Sequence, residues 1–276
     1  MSTPSCPPLL VVAHGSRDDR SAAAVGRLVE AARRQRPGVE IRQGFLDFSH
    51  PPVQDLLNAV DGEVVVLPLL LTPAYHSRVD LPGVLAAHQQ ARRQARRDPL
   101  QIRYGTTLGP HEALIAGMAR RLAEAGVRPD DPETALVLAA AGSSNPCGTA
   151  LVHGVAQRWA AQGLWDVVPA FASASQPTVA EAVAGLQARG APRVAVASYF
   201  LAPGRLPDRV VRGAGDCVVA VPLDDAVEVA ALLLRRYDEA LAPGAGAGGT
   251  ARCEVLGDAA RATCGLCRQG PMFLGR

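Results

Sequence analysis

Aromatic residues are scarce in this chain: two Trp, four Tyr and five Phe among 276 residues. So few stacking surfaces, with a formal net charge of only +2, argue against a nucleic-acid partner, which needs a basic stripe and rings for its bases. Long apolar runs are missing too, because the stretch 64–75 is short and broken by proline and so does not read as a membrane span. The opening Met-Ser-Thr-Pro-Ser-Cys-Pro-Pro lacks the basic and then apolar pattern of a secretory leader. Six cysteines, four of them widely scattered, do not make a secreted disulfide framework. These absences predict a cytoplasmic protein, and 48% hydrophobic with 20% charged residues predicts sizeable globular cores.

What is present is an alternation. β-prone runs at 8–13, 39–46, 63–71 and 100–106 alternate with segments of helical period at 19–36, 52–60, 80–97 and 110–126. Strands without strict polar alternation, separated by helices, predict a parallel sheet covered on both faces. Turn signals around 129–132 mark a break. Beyond it the pattern returns, with β-like runs at 135–141, 166–172, 193–201 and 217–222 and helical segments at 147–162, 177–189, 205–213 and 224–241. The expected fold is α/β: two tandem, duplicated parallel-sheet domains with flavodoxin-like layering, over 1–130 and 131–242, followed by a flexible Gly-rich linker and cysteine-bearing tail over 243–276. The linker contains Gly-x-Gly-x-x-Gly at 244–249, but no strand precedes it and no helix follows, so a dinucleotide site fails its required context.

The repeat supplies an internal control. Ala13-His14-Gly15-Ser16 aligns with Ala140-Ala141-Gly142-Ser143, Phe45 through Val53 with Phe171 through Val179, and Leu71-Thr72-Pro73 with Leu201-Ala202-Pro203. Positions kept in both halves are architectural, whereas those found in one half are candidates for function. In this register His14 becomes Ala141, Asp47 becomes Ser173, His50 becomes Gln176 and His76 becomes Leu206. One site is expected, in the first half.

His14 and His76 each directly follow an apolar, β-prone stretch, and the carboxyl ends of parallel strands open onto the ligand crevice. With Asp47 and His50 after the second strand, three strand ends share one rim. Neutral imidazole suits divalent cobalt, iron, nickel or zinc, and two such ligands leave positions open for exchange or for a substrate. Plainer roles stand beside these: Gly15 for a tight turn, Ser16 as a helix cap and Asp80 as an N-cap. The Arg pairs at 33–34, 92–93 and 96–97 read as solvated helix faces, and His88, His111 and His153 as structural.

Ala-His-Gly-Ser-Arg at 13–17, Phe-Leu-Asp-Phe-Ser-His-Pro at 45–51, the apolar strand 64–71 and His76-x-x-x-Asp80-Leu81-Pro82 together resemble the sirohydrochlorin chelatases of the CbiX type, members of the class II chelatases, over roughly 1–240. The resemblance implies insertion of Co2+ or Fe2+ into sirohydrochlorin, on the way to cobalamin or siroheme, with no organic cofactor. It places the metal on His14 and His76, gives His14 the role of proton acceptor with Asp47 in the catalytic set, and lines the substrate with His50, Leu71, Thr72, Pro73, Ala74 and Tyr75. Family members commonly carry Glu where this chain has Asp47 and His50; the first change is conservative, and the second is not, replacing a substrate contact with a residue that could instead be a third imidazole near the metal. Histidine suits the task, being a base near neutrality and a ligand weak enough to release its metal. Arg17 and Arg78, with Arg42 and Arg103 and with Arg205 and Arg209 from the second half, are expected to pair with the substrate's carboxylates.

Two other functions use parts of the same pattern. A non-catalytic carrier of metal or tetrapyrrole would employ the same ligands without accelerating insertion. A phosphoryl-transfer enzyme is suggested by Ala-His-Gly, which resembles the Arg-His-Gly opening of histidine phosphatases, but Ala13 removes the phosphate clamp. In the tail, Cys264-Gly-Leu-Cys267 with Cys253 upstream makes part of a zinc or iron–sulfur site. Cys217 is the candidate fourth ligand, and a tail with incidental thiols is the competing reading. Monomer and homodimer are both open.

Overall fold

The computed structural model describes residues 6–72, 80–128, 131–163 and 165–243. Its first half runs β1 (Leu9–Ala13), α1 (Asp19–Gln35), β2 (Ile41–Phe45), α2 (Val53–Asn58), β3 (Glu63–Pro68), α3 (Leu81–Gln94), β4 (Gln101–Tyr104) and α4 (Glu112–Glu124). The second half runs β5 (Thr134–Ala140), α5 (Pro146–Ala160), β6 (Val167–Phe171), α6 (Val179–Ala188), β7 (Arg193–Ser198), α7 (Arg205–Gly213), β8 (Val218–Val219) and α8 (Val227–Leu241). All the expected strands and helices are present. The run at 217–222 shrinks to two residues because β8 is an edge strand that pairs with β7 only through Ala195↔Val218 and Val196↔Val219.

Two parallel four-stranded sheets result, ordered β2-β1-β3-β4 and β6-β5-β7-β8. Adding four to each number of the first order gives the second. The central strands β1 and β5 are buried along their whole length, which is why they read as unbroken apolar runs rather than alternating ones. In the first half Leu10, Val12, Val53, Leu57, Val64 and Leu81 pack in one core cluster, and Val137, Ala139, Ala170, Val179, Leu186 and Val196 pack in its counterpart. Each valine or leucine among them contributes about 1.5–3 kcal/mol on burial. No helix of the described residues is long and apolar enough to cross a membrane.

Local signals set the helix ends. Asp18 caps α1 by accepting from the Arg20 amide, and Thr178 and Glu181 form a reciprocal capping box on α6. His111, expected to be structural, caps α4: its Nδ1 accepts from the Ala113 amide at 3.0 Å. Arg92 departs from the expected solvated face, being only 5% exposed. Its guanidinium donates to the carbonyls of Asp98 and Val60 and to the Asp61 carboxylate, so a charge at a helix end is buried by the acceptors it closes.

By packing, the chain divides into two compact units: one holds the residues up to Gly109 together with α8 from Val229, and the other runs from Pro110 to Glu228. In the second unit α4 packs on β7. Its Arg121 donates to the Leu223 carbonyl at 2.9 Å and pairs with Asp225 at 2.7 Å, while Arg120 pairs with Glu228 at 2.6 Å. In the first unit α8 is anchored by Tyr237 Oη donating to the Pro7 carbonyl at 2.7 Å, by Arg236 donating to the Thr107 carbonyl at 3.0 Å and by an Arg36–Asp238 pair. The expected break near 130 thus falls inside the second unit, and the unit boundaries lie instead at Gly109/Pro110 and Glu228/Val229, where these contacts tie α4 and α8 to their units.

Candidate functional site

In the first sheet β1 lies between β2 and β3, so the crevice beyond its carboxyl end is the point where the strand order reverses. His14 is the first residue past that end. The chain leaving β2 lies on one side of it: the Leu46 amide donates to the Ala13 carbonyl at 3.0 Å and the Asp47 amide to the His14 carbonyl at 2.9 Å. The chain leaving β3 lies on the other, the Leu69 amide donating to the Val12 carbonyl at 2.8 Å.

Backbone constraints fix this rim. Gly15 has φ +94°, and a Cβ there would stand 1.7 Å from the Asp47 carbonyl oxygen, so only glycine permits the approach. Ser49 Oγ accepts from the Ser16 amide at 3.1 Å and donates to the Ser16 carbonyl at 3.0 Å, stitching the two loops together. Phe48 is left-handed at φ +59°, a conformation costing a non-glycine residue about 1–2 kcal/mol. Hydrogen bonds hold it there from both sides: the Phe48 amide donates to Asp47 Oδ1 at 2.9 Å, the Ser49 amide to the Asp47 carbonyl at 2.7 Å, and the Phe45 amide to the Pro51 carbonyl at 3.0 Å.

On this scaffold His14 is half-buried, while Arg17, Asp47 and His50 are exposed and Leu71 and Thr72 are half-buried where the chain leaves β3. The His14 ring stands edge-on to Phe48, with centroids 6.2 Å apart at an interplanar angle of 79°. The Arg17 guanidinium carbon lies over the Phe48 ring, 5.0 Å from its centroid. Pro73, Ala74, Tyr75, His76 and Arg78 lie outside the described residues, as do Cys253, Cys264 and Cys267. Among the described residues no group of three or more His, Cys, Asp or Glu is set to hold a metal ion. Cys217 is half-buried beside Asp216; burial first, and then that carboxylate, push its thiol above the ordinary range.

Two expected substrate arginines are placed elsewhere. Arg42, second in β2, pairs with Glu40, and Arg103 pairs with Glu63, the first residue of β3. The carboxylates that take them stand at the amino ends of β2 and β3, away from the rim: Glu40 just precedes β2 and Glu63 begins β3. Arg205 begins α7 and is exposed, while Arg209 donates to the Ala172 carbonyl at 3.0 Å. Asp80 sits at the N-cap position of α3, yet its side chain makes no capping bond.

The second sheet repeats the rim's backbone. Gly142 has φ +87° and a Cβ would stand 1.8 Å from the Ser173 carbonyl. The Ser173 amide donates to the Ala141 carbonyl at 3.0 Å, Ser175 Oγ accepts from the Ser143 amide at 3.1 Å, and Ala174 is left-handed at φ +56°. The peptides His50–Pro51 and Gln176–Pro177 are both cis. Strand register thus matches His14 to Ala141, Asp47 to Ser173 and His50 to Gln176, as the sequence alignment expects. Where the first half has Arg17 and Phe48, the second has Ser144 and Ala174, which with Ser143, Thr149, His153 and Ser175 line an open cavity of about 750 Å³. Phe48 belongs to the motif at 45–51, but its left-handed turn leaves no sequence signal, because no feature of a phenylalanine reports its φ.

Comparison with known proteins adds an independent line. A sequence model of the CbiX family matches residues 8–125 and again 135–240. A sirohydrochlorin cobaltochelatase of Priestia megaterium is 27% identical over 213 residues, covering 73% of this chain and 66% of that relative. A sirohydrochlorin ferrochelatase of Bacillus subtilis (strain 168) is 26% identical over 211 residues, covering 74% of this chain and 77% of the relative. Among solved structures, SirB from Bacillus subtilis with Fe3+ superposes with a TM-score of 0.72 at 22% identity, covering 86% of this chain and 96% of its own. A structure described as CbiX, the terminal enzyme for biosynthesis of siroheme in denitrifying bacteria, has a TM-score of 0.62 at 18% identity, covering 85% of this chain and all of its own. At such identities the structural likeness establishes the fold.

Proposed function

The chain belongs to the CbiX family, and from that membership we propose that it is a chelatase inserting a divalent metal, Co2+ or Fe2+, into sirohydrochlorin. The observation that carries the reading is the position of His14, the first residue beyond β1 at the switch point of the first rim, where the same backbone in the second half carries Ala141. The N-terminal half is then the catalytic one and the C-terminal half a degenerate repeat.

In the proposed reaction the tetrapyrrole's two inner N–H protons leave as the metal ion takes their place, so the site needs a metal ligand and a proton acceptor. His14 serves in both capacities, and His76 is the second metal ligand. A neutral imidazole accepts a proton near neutral pH and releases it to solvent without strong driving force either way. Asp47, on the exposed side of the same rim, receives protons on their way to water. Arg17 and Arg78 pair with peripheral carboxylates of the substrate, and His50, Leu71, Thr72, Pro73, Ala74 and Tyr75 line its bed. The reaction draws on no organic cofactor, and Cys264 and Cys267 enter none of its steps. A cytoplasmic enzyme, monomeric or homodimeric, is part of the same proposal.

The test is anaerobic incubation of the protein with sirohydrochlorin and either Co2+ or Fe2+, following the tetrapyrrole absorption against a metal-only control. Acceleration that disappears in His14→Ala and His76→Ala is expected, and the two rates rank cobalt against iron as substrates. Full insertion rates in both variants would overturn the assignment. Tight binding of metal or tetrapyrrole with no acceleration would replace the enzyme with a carrier.

A further inference from the structure

We propose that Phe48 is the ring against which the tetrapyrrole stacks on entering the rim, and that Arg17, held over that ring, takes one of the substrate's carboxylates. This rests on the tetrapyrrole reading above. Three observations lead to it. Phe48 is 50% exposed although it is a large apolar side chain, so packing does not account for its presence. Its left-handed backbone is specified by the loop and not by the ring, since Ala174 adopts the same conformation within a matching hydrogen-bond frame in the second half. The ring is therefore an addition confined to the half that also carries His14.

Its surroundings give the addition a purpose. A flat macrocycle with many carboxylates asks for an aromatic face beside a cation, and Arg17 lies 5.0 Å from the Phe48 centroid. The His14 imidazole stands edge-on to the same ring at 6.2 Å, so a ligand resting on Phe48 is already beside the imidazole assigned to metal and protons. In the second half Ser144 and Ala174 supply neither ring nor cation, and the space is an open, hydroxyl-lined cavity.

The experiment is a metal-free titration of the protein with sirohydrochlorin, read by tetrapyrrole absorption, together with steady-state insertion kinetics, for the wild type, Phe48→Ala, Phe48→Tyr and Arg17→Ala. Phe48→Ala is expected to weaken binding about 3- to 10-fold and to raise KM equally, with kcat within about twofold. Phe48→Tyr restores binding. Adding Arg17→Ala to Phe48→Ala costs less than Arg17→Ala alone, because the two side chains act on one ligand. Ala174 shows that alanine fits this turn, so misfolding does not obscure the result. Unchanged binding in Phe48→Ala beside a wild type that binds and turns over would overturn this inference alone. A wild type that binds no tetrapyrrole would overturn it together with the function on which it rests.

Discussion

The carboxyl rims of the two sheets differ in almost nothing but their side chains. Gly15 and Gly142 have φ of +94° and +87°, Phe48 and Ala174 of +59° and +56°, and the serine pairs Ser16–Ser49 and Ser143–Ser175 are bonded alike. On that shared frame one rim carries an imidazole, a carboxylate and an exposed ring, and the other carries Ala141, Ser173 and Ala174. Because the frame is the same under both sets of side chains, its glycines and serines specify backbone, and the proposed function rests on the residues confined to the first half. The duplicated chain thus contains its own negative control.

The sharpest way to break this comparison is to exchange the imidazole. His14→Ala is expected to lower the insertion rate at least about 100-fold, toward the spontaneous background, and adding Ala141→His is expected not to restore it; recovery in the double variant would show that the second rim is a competent site. Next come the glycines. Gly15→Ala and Gly142→Ala should each cost about 2–4 kcal/mol in denaturant unfolding, since each drives a methyl group into a carbonyl oxygen, but only Gly15→Ala should abolish insertion. Ser49→Ala and Ser175→Ala should cost about 1 kcal/mol each. Ser175 should lose slightly more in the same unfolding measurement, because its hydroxyl also meets Thr149 Oγ1 at 3.1 Å.

The smallest expected effect concerns acid. His88 on α3 is held below its ordinary value by burial first and by Arg92 and Arg97 next, while α7, the matching helix, has no histidine. The folded state then binds this proton less readily than the unfolded chain, so its stability contribution is present above about pH 6.5 and is lost as pH falls below that value. Melting of wild type and His88→Gln between pH 7 and 5 should show a shallower acid decline in the variant.

Much of the fold was legible because buried parallel strands read as continuous apolar runs and the duplicated pattern confirmed the register. His14 was found in this way, as the first residue beyond β1. Arg92 was not, since burial of a helix arginine depends on acceptors contributed from elsewhere, here Val60, Asp61 and Asp98. Arg42 and Arg103 were misplaced for a related reason: a charge near a strand declares its sign but not the end at which it finds a partner. The left-handed turn at Phe48 left no mark either, because the loop's hydrogen bonds impose it and the side chain does not request it.

The allocation of α8 to the first unit also bears on how the protein is made. A ribosome delivers the first sheet before the helix that completes its unit, with the whole of the second unit in between. At typical synthesis rates the nascent first sheet waits on the order of ten seconds without its final cover. Until then the surface that Leu233 and Tyr237 bury is without that helix, so the first unit is begun before the second and completed after it.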